Sequence, residues 1–106
     1  MALPPLTAQQ RTEALEKAAQ ARRQRAEAKN RLKYGQGSLA EVISEGEQVD
    51  AIGKMKVSAL LESLPGVGKV RARRMMEQIG ISEARRVRGL GAQQRESLLK
   101  AFPADS

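Results

Sequence analysis

The amino-acid sequence predicts an all-α protein, in which a long N-terminal helix precedes a compact helical domain. Three observations support this fold class. Residues 8–33 contain neither Gly nor Pro and consist mainly of Ala, Arg, Lys, Glu and Gln, which are good helix formers. Later segments place apolar residues at i, i+3, i+4 and i+7, the spacing of one helix face. The alternation of apolar and polar residues that marks a half-buried strand does not occur in the sequence.

The first predicted helix is long and has little apolar surface. Thr7 and Gln10 have the spacing of a capping box, which predicts that the helix starts at residue 8. About 26 residues at about 1.5 Å each would give a length of about 39 Å. Leu15 and Leu32 are the large apolar residues of this stretch. We therefore expect much of the helix to project from the protein or to lie on a partner.

An acidic stretch separates this helix from the compact domain. Ser38 and Glu41 repeat the capping-box spacing and predict a short helix there. The chain is therefore expected to have three regions. They are a basic helical arm over residues 1–35, an acidic connector with a short helix over residues 36–53, and the compact domain over residues 54–106.

The compact domain is predicted to contain short helices joined by Gly-containing turns. The apolar faces of its first two helices are Val57, Leu60, Leu61 and Leu64 in one, and Ala72, Met75, Met76 and Ile79 in the other. Ser82 is expected to cap a short helix that continues through Arg86. A last helix is predicted over residues 92–101.

Composition excludes several classes of function. The 106 residues include no Cys and no His, which removes disulfides, thiol nucleophiles, Cys-based zinc sites and the commonest general base. One Tyr and one Phe are too few for a platform that stacks single-stranded bases. Neither a secretory signal nor an apolar run of membrane-spanning length is visible. We therefore expect a soluble, intracellular, non-catalytic protein with no cofactor, metal or small-molecule substrate.

The net charge is +7, from 19 Lys and Arg against 12 Asp and Glu, and it is unevenly distributed. Residues 1–33 carry +5, residues 34–53 carry −4, and residues 54–95 carry +7. Two cationic segments therefore flank an acidic one, which we interpret as a hinge. The surplus indicates an anionic partner, but by itself it does not distinguish DNA, RNA and lipid.

The most informative stretch is the turn over residues 64–71, Leu-Pro-Gly-Val-Gly-Lys-Val-Arg. One helix ends at Pro65, two glycines permit a tight turn, and a second helix begins near Lys69. The first N–H groups of a helix lack intrahelical partners, and the helix dipole favours an anion there. The turn is therefore a candidate for gripping the phosphates of a duplex without reading its bases. The alternative is an ordinary turn between two packed helices.

Arginines provide two further candidate contacts. Arg74 points away from the apolar face of the second helix and is either a phosphate contact or part of a solvated face. Arg85, Arg86 and Arg88 fall within four residues, ahead of a Gly-Leu-Gly turn. Such dense like charge is unfavourable without a polyanion, and the planar guanidinium suits phosphate. A solvated turn is the alternative for this segment.

The end of the first helix is a second candidate surface for nucleic acid. Its six basic residues are Arg22, Arg23, Arg25, Lys29, Arg31 and Lys33. Cations near a helix C-terminus also complement the helix dipole, which is the structural alternative. Binding to a membrane surface is the weaker option, because this helix lacks large apolar anchors.

Residues 53–72, Gly-Lys-Met-Lys-Val-Ser-Ala-Leu-Leu-Glu-Ser-Leu-Pro-Gly-Val-Gly-Lys-Val-Arg-Ala, and 85–91, Arg-Arg-Val-Arg-Gly-Leu-Gly, resemble the actinobacterial integration host factor family. The start, Met-Ala-Leu-Pro-Pro-Leu-Thr, resembles it too, so the resemblance covers essentially the whole chain. It implies a long N-terminal helix followed by a helix–two-turns–helix domain. It also implies a cytoplasmic, nucleoid-associated protein that binds duplex DNA with little sequence preference, bends or compacts it, and supports phage integration and gene regulation.

The resemblance also assigns residues. Residues 64–71 match the family's DNA-binding turn, and residues 82–94 match its second DNA-contacting segment, the lid. With Arg74 added, the candidate DNA-contacting residues are Leu64, Pro65, Gly66, Val67, Gly68, Lys69, Val70, Arg71, Arg74, Ser82, Arg85, Arg86, Arg88, Gly89, Leu90, Gly91 and Gln94. We expect a monomer on double-stranded DNA that is able to bridge two duplexes.

Two other functions stay open on the sequence. A ribosome-associated or other structured-RNA-binding protein would also contact phosphates, because A-form helices are recognised by shape. The same two-turn motif occurs in formamidopyrimidine-DNA glycosylases, whose nucleophile is an N-terminal proline. In this chain Pro4 would still follow Ala2 and Leu3 after removal of Met, so the resemblance does not carry that chemistry over.

Overall fold

The structure, a computed structural model, describes Pro5 and residues 7–102. Its helices are, in chain order, α1 (Ala8–Lys33), α2 (Leu39–Glu45), α3 (Asp50–Gly53), α4 (Val57–Ser63), α5 (Lys69–Ile79), a 3₁₀ helix (Val87–Gly89) and α6 (Ala92–Ala101). These described residues contain no strand beyond one isolated bridge pair, and the all-α prediction is confirmed. Pro4, on which the comparison with glycosylases depends, lies outside the described residues.

Helix α1 has its predicted bounds because both ends are fixed locally. At its start, the Gln10 N–H donates to Thr7 Oγ1 at 3.1 Å, and the Thr7 N–H donates to Gln10 Oε1 at 2.9 Å. Just beyond its end, Gly35 has a φ of +68°, a left-handed conformation that glycine adopts without strain. Its buried residues are Ala28 and Leu32. The first half of α1 therefore lies in solvent, and its last turns attach it to the domain.

The core is built largely on the faces that the sequence predicts. Helix α4 buries Val57, Leu60 and Leu61, and α5 buries Ala72 and Met76. Each fully buried Leu contributes about 1.5–3 kcal/mol relative to an exposed one. The packing of α4 against α5 fixes the position of the turn between them, which is the first candidate site.

The acidic segment packs into the same core. Helix α2 buries Leu39, Val42 and Ile43, and α3 buries Ala51 and Ile52. Helix α3 is not predicted from the sequence, because its four residues are too few to show a helical period. Both α3 and α4 contact α1. The acidic segment is therefore a packed part of the fold, and the basic helix rests on both α3 and α4.

The prediction of a helix over residues 82–86 is wrong. This stretch is a turn, and the 3₁₀ helix begins directly after it. The chain here pairs with the start of α4: the Val57 N–H donates to the Arg85 carbonyl at 3.0 Å, and the Val87 N–H donates to the Met55 carbonyl at 2.9 Å. These tertiary hydrogen bonds and the burial of Val87 outweigh the weak helix propensity of so short a segment.

Candidate nucleic-acid interface

In the turn between α4 and α5, two exposed glycines flank a buried valine. The side chain of Val67 is buried in the core, and its N–H donates to the Leu64 carbonyl at 3.1 Å. On either side of Val67, a Cβ added to Gly66 or Gly68 would meet open space. Gly66 has a φ of +76°, which disfavours any residue with a side chain. The backbone of the turn is therefore held in place and accessible to a ligand.

Helix α5 begins with unsatisfied backbone donors. The first N–H of this helix with an acceptor is that of Ala72, which donates to the Gly68 carbonyl at 3.0 Å. Within the described part of the chain, no backbone or side-chain group accepts from the N–H groups of Lys69, Val70 or Arg71. Because the helix dipole is positive at this end, the three donors form a site suited to an anion such as phosphate.

The end of α1 lies beside this turn. A groove of about 620 Å³ is lined by Lys29, Asn30 and Lys33 of α1 on one side and by the turn, including Gly66 and Gly68, on the other. The Lys33 ammonium also lies 5.4 Å from the centre of the Tyr34 ring, a cation–π distance. The structure thus brings together two candidate sites that are separate in the sequence.

The other cations of α1 are placed differently. Arg31 forms a two-pronged pair with Glu45 of α2, in which Nη1 donates to Oε1 at 2.7 Å and Nη2 to Oε2. This hydrogen-bonded pair raises the pKa of Arg31 and lowers the pKa of Glu45. Arg25 is half-buried, whereas Arg22 and Arg23 are exposed. The six predicted contacts of α1 therefore include one arginine that is already engaged within the protein.

The cations of α5 lie near the turn but differ in their partners. The Arg71 guanidinium lies 5.9 Å from the centre of the Phe102 ring. Arg73 forms an exposed pair with Glu83 at 2.9 Å. Arg74 is exposed and lines a second groove, of about 530 Å³, together with Lys69 and Lys56. Lys56 was not identified from the sequence, because it occupies the N-cap position of α4 and no spacing pattern relates it to α5.

The three arginines of the 82–94 segment do not share one environment. Arg85 Nη1 donates to the Gly89 carbonyl at 3.1 Å, and Arg86 Nη1 donates to the Lys54 carbonyl. A carbonyl acceptor orients a guanidinium without cancelling its charge. Arg88 instead pairs with the Asp50 carboxylate at 2.7 Å, and this bond lowers the pKa of Asp50. Arg85 and Arg86 therefore keep a positive charge that a polyanion could use.

The uncharged candidate residues of the 82–94 segment help to fix its conformation. Gln94 accepts from the Gly91 N–H at 3.0 Å through Oε1 and donates to the Gly80 carbonyl at 3.1 Å through Nε2. It therefore connects the end of α5 to the start of α6. Leu90 packs partly buried against the core, and Ser82 is exposed.

Two other features were sought among the described residues, a metal site and a membrane-spanning helix. Among them, no group of three or more Asp and Glu lies in a position to hold a metal ion. None of the described helices combines the length and the apolar character that a membrane crossing requires.

Comparisons with known proteins assign the chain. A family model described as an S13-like H2TH domain matches residues 32–102. An integration host factor from Streptomyces coelicolor is 70% identical over 102 residues, which cover 96% of this chain and 95% of that protein. The chain belongs to the integration host factor family. Two further members of that family, from Mycobacterium tuberculosis and Mycolicibacterium smegmatis, are each 57% identical over 102 residues, covering 96% of this chain and 97% of each relative.

A solved structure of this family also matches the fold. It is the structure of sIHF bound to an 8-base-pair palindromic DNA, with a TM-score of 0.80 and 69% identity. The match covers 82% of this chain and 98% of the solved one. The resemblance that the residues indicated is therefore confirmed. The match to the S13-like H2TH model starts at Leu32, the last buried residue of α1.

Proposed function

We propose that this protein is a nucleoid-associated architectural protein that binds duplex DNA through its phosphates, with little sequence specificity. Through this binding it bends or compacts DNA and supports integration and the regulation of transcription. The proposed role is binding, without chemistry on the DNA. The solved relative is bound to DNA, which supports the choice of DNA over other polyanions.

One observation carries the proposal, namely the open start of α5. Three backbone donors point out of the turn at the positive end of the helix dipole, and glycines leave the approach clear. Lys29 and Lys33 line the adjacent groove. Backbone donors and lysines contact phosphate oxygens, which position a protein on DNA but carry no sequence information. Weak sequence preference follows from this choice of contacts.

A second cationic surface supports bending. Arg85 and Arg86 lie on the segment that pairs with the start of α4, and their charges are not cancelled by an acid. The turn and this segment are set by one core, so their spacing is fixed. If both reach phosphates that straight DNA does not present together, the duplex deforms to make the added contacts. The exposed Arg22 and Arg23 of α1 would provide the contact that bridges a second duplex.

Competition between nucleic acids tests the proposal. A fluorescent DNA duplex is bound at fixed salt and displaced with unlabelled DNA of unrelated sequence, with single-stranded DNA or with double-stranded RNA. We expect the DNA duplex to compete best, with little dependence on its sequence, because two aromatic residues cannot form a stacking platform. Stronger competition by double-stranded RNA would instead support an RNA-binding protein. Imaging of long DNA with and without the protein tests bending separately. If the curvature of the DNA does not change on binding, the proposal that the protein bends DNA is refuted.

A further inference from the structure

Arg88 has more internal partners than the other two arginines of its segment. Its Nη2 donates to Asp50 Oδ1 at 2.7 Å and to the Gly46 carbonyl at 3.2 Å. The acceptors of Arg85 and Arg86 are both carbonyls. Asp50 and the Gly46 carbonyl therefore both accept from Nη2 of Arg88, and a phosphate that used this nitrogen would compete with them.

Two buried glycines accommodate the 3₁₀ helix that carries Arg88. A Cβ on Gly53 would lie 2.9 Å from both Nε and Nη2 of Arg88 and 2.5 Å from the Gly46 carbonyl oxygen. A Cβ on Gly46 would lie 2.9 Å from Val87 Cγ1. The contact of a Gly53 Cβ with the Gly46 carbonyl is a backbone clash, so Gly53 requires the absence of a side chain, whereas a Cβ on Gly46 would require Val87 to shift. Gly46, directly after α2, and Gly53, the last residue of α3, thus form a surface against which the 3₁₀ helix packs closely.

We infer that Arg88 is a positioning residue, which with Asp50 and the Gly46 carbonyl fastens the 3₁₀ helix to α2 and α3 and so directs Arg85 and Arg86 toward DNA. This inference rests on the proposed function. It gives Arg88 a role other than the phosphate contact that the family resemblance implies. Arg85 is attached to the same unit, since its Nη1 donates to the Gly89 carbonyl at the end of the 3₁₀ helix.

The two roles of Arg88 predict opposite effects of removing Asp50. If Arg88 binds phosphate, the Asp50 carboxylate competes with DNA, and Asp50→Asn tightens binding. If Arg88 positions the segment, the same change loosens it and weakens binding. Both roles share the small gain from losing one negative charge near a polyanion. Glu41→Gln removes the same charge from the exposed side of α2 and is the matched control.

The experiment measures the affinity of the full chain for duplex DNA as a function of salt. We expect Asp50→Asn to bind about two- to fivefold more weakly than Glu41→Gln, the range that an exposed charge pair spans. Asp50→Asn binding as tightly as the control, or more tightly, would overturn the inference.

A measurement without DNA separates this inference from the proposed function. The Val87 N–H donates to the Met55 carbonyl and the Gly89 N–H to the Arg86 carbonyl, so both report on how firmly the segment is held. We expect hydrogen exchange at both amides to be faster in Asp50→Asn than in Glu41→Gln. Equal exchange rates would refute a positioning role even if DNA binds well. Failure of the wild-type chain to bind DNA would refute the proposed function and leave this result standing.

Discussion

The groove between α1 and the turn makes a quantitative prediction about salt. Lys29 and Lys33 line it together with Gly66 and Gly68, so we expect a phosphate bound in this groove to be neutralised by both lysines. The perturbation is the double change Lys29→Ala and Lys33→Ala. Both residues are exposed, and Ala is the best helix former, so α1 should keep its structure. The loss of Lys33 from the last turn costs about 0.3–1 kcal/mol of dipole stabilisation, which thermal unfolding measures.

The magnitude follows from counterion release. Each phosphate neutralised on duplex DNA contributes about 0.9 to the slope of log K against log salt, so two contacts contribute about 1.8. Between about 50 and 200 mM salt, a slope difference of about 1.8 changes the affinity ratio of wild type to variant by about twelvefold. Fluorescence anisotropy of a labelled duplex over this salt range measures both quantities.

The control is a second double change with the same loss of charge. Arg11→Ala and Lys17→Ala alter exposed cations on the half of α1 that lies in solvent, away from the groove. We expect this pair to change the slope much less than the groove pair. Equal slopes for the two double variants would refute the argument, because they would show that total charge matters and the position of the lysines does not.

Three further predictions concern the turn and the acidic segment. Gly66→Ala should lower the free energy of unfolding by about 1–2 kcal/mol, measured with denaturant, because its φ of +76° strains any residue with a Cβ. Gly68→Ala, at a φ of −90°, should change stability by less than about 0.5 kcal/mol but weaken DNA binding, because its methyl group occupies the phosphate approach; unchanged affinity would place the phosphate elsewhere. Hydrogen bonding by Arg31 lowers the pKa of Glu45 below its ordinary 4.5, so this pair stabilises the fold above that pH and loses its contribution as the pH falls through the lowered pKa. Glu45→Gln should flatten the acid side of the stability profile in urea titrations, and an unchanged profile would contradict this.

The sequence predicted those elements whose causes are local. Helix α1 was found with its observed bounds, because the capping box of Thr7 and Gln10 and the long Gly-free run are both visible in the sequence. The turn at the start of α5 was found for the same reason, since its glycines and Lys69 are consecutive in the chain. Four residues of α3 and three of the 3₁₀ helix carry no period that a pattern could reveal. Tertiary contacts determine both.

The arrangement of the site could not be predicted from the sequence for a related reason. The ion pairs of Arg31, Arg88 and Arg95 join residues that are 14, 38 and 48 positions apart. No spacing rule connects partners at such distances. The same holds for the groove, because no spacing in the sequence relates Lys29 and Lys33 of α1 to the turn that they face. The candidate residues of the site could therefore be named from the sequence, while the division of its arginines into free and engaged ones required the fold.

The acidic segment explains how a strongly basic chain keeps its cations in defined places. Three of its acids, Glu45, Glu47 and Asp50, pair with arginines of α1, α6 and the 3₁₀ helix. All three pairs are partly exposed to solvent, and such pairs contribute little to stability. They connect α1, the 3₁₀ helix and α6 to α2, α3 and the loop between them. The segment is therefore a packed part of the fold and not a flexible hinge, and its acids determine which arginines are paired within the protein and which keep their charge for DNA.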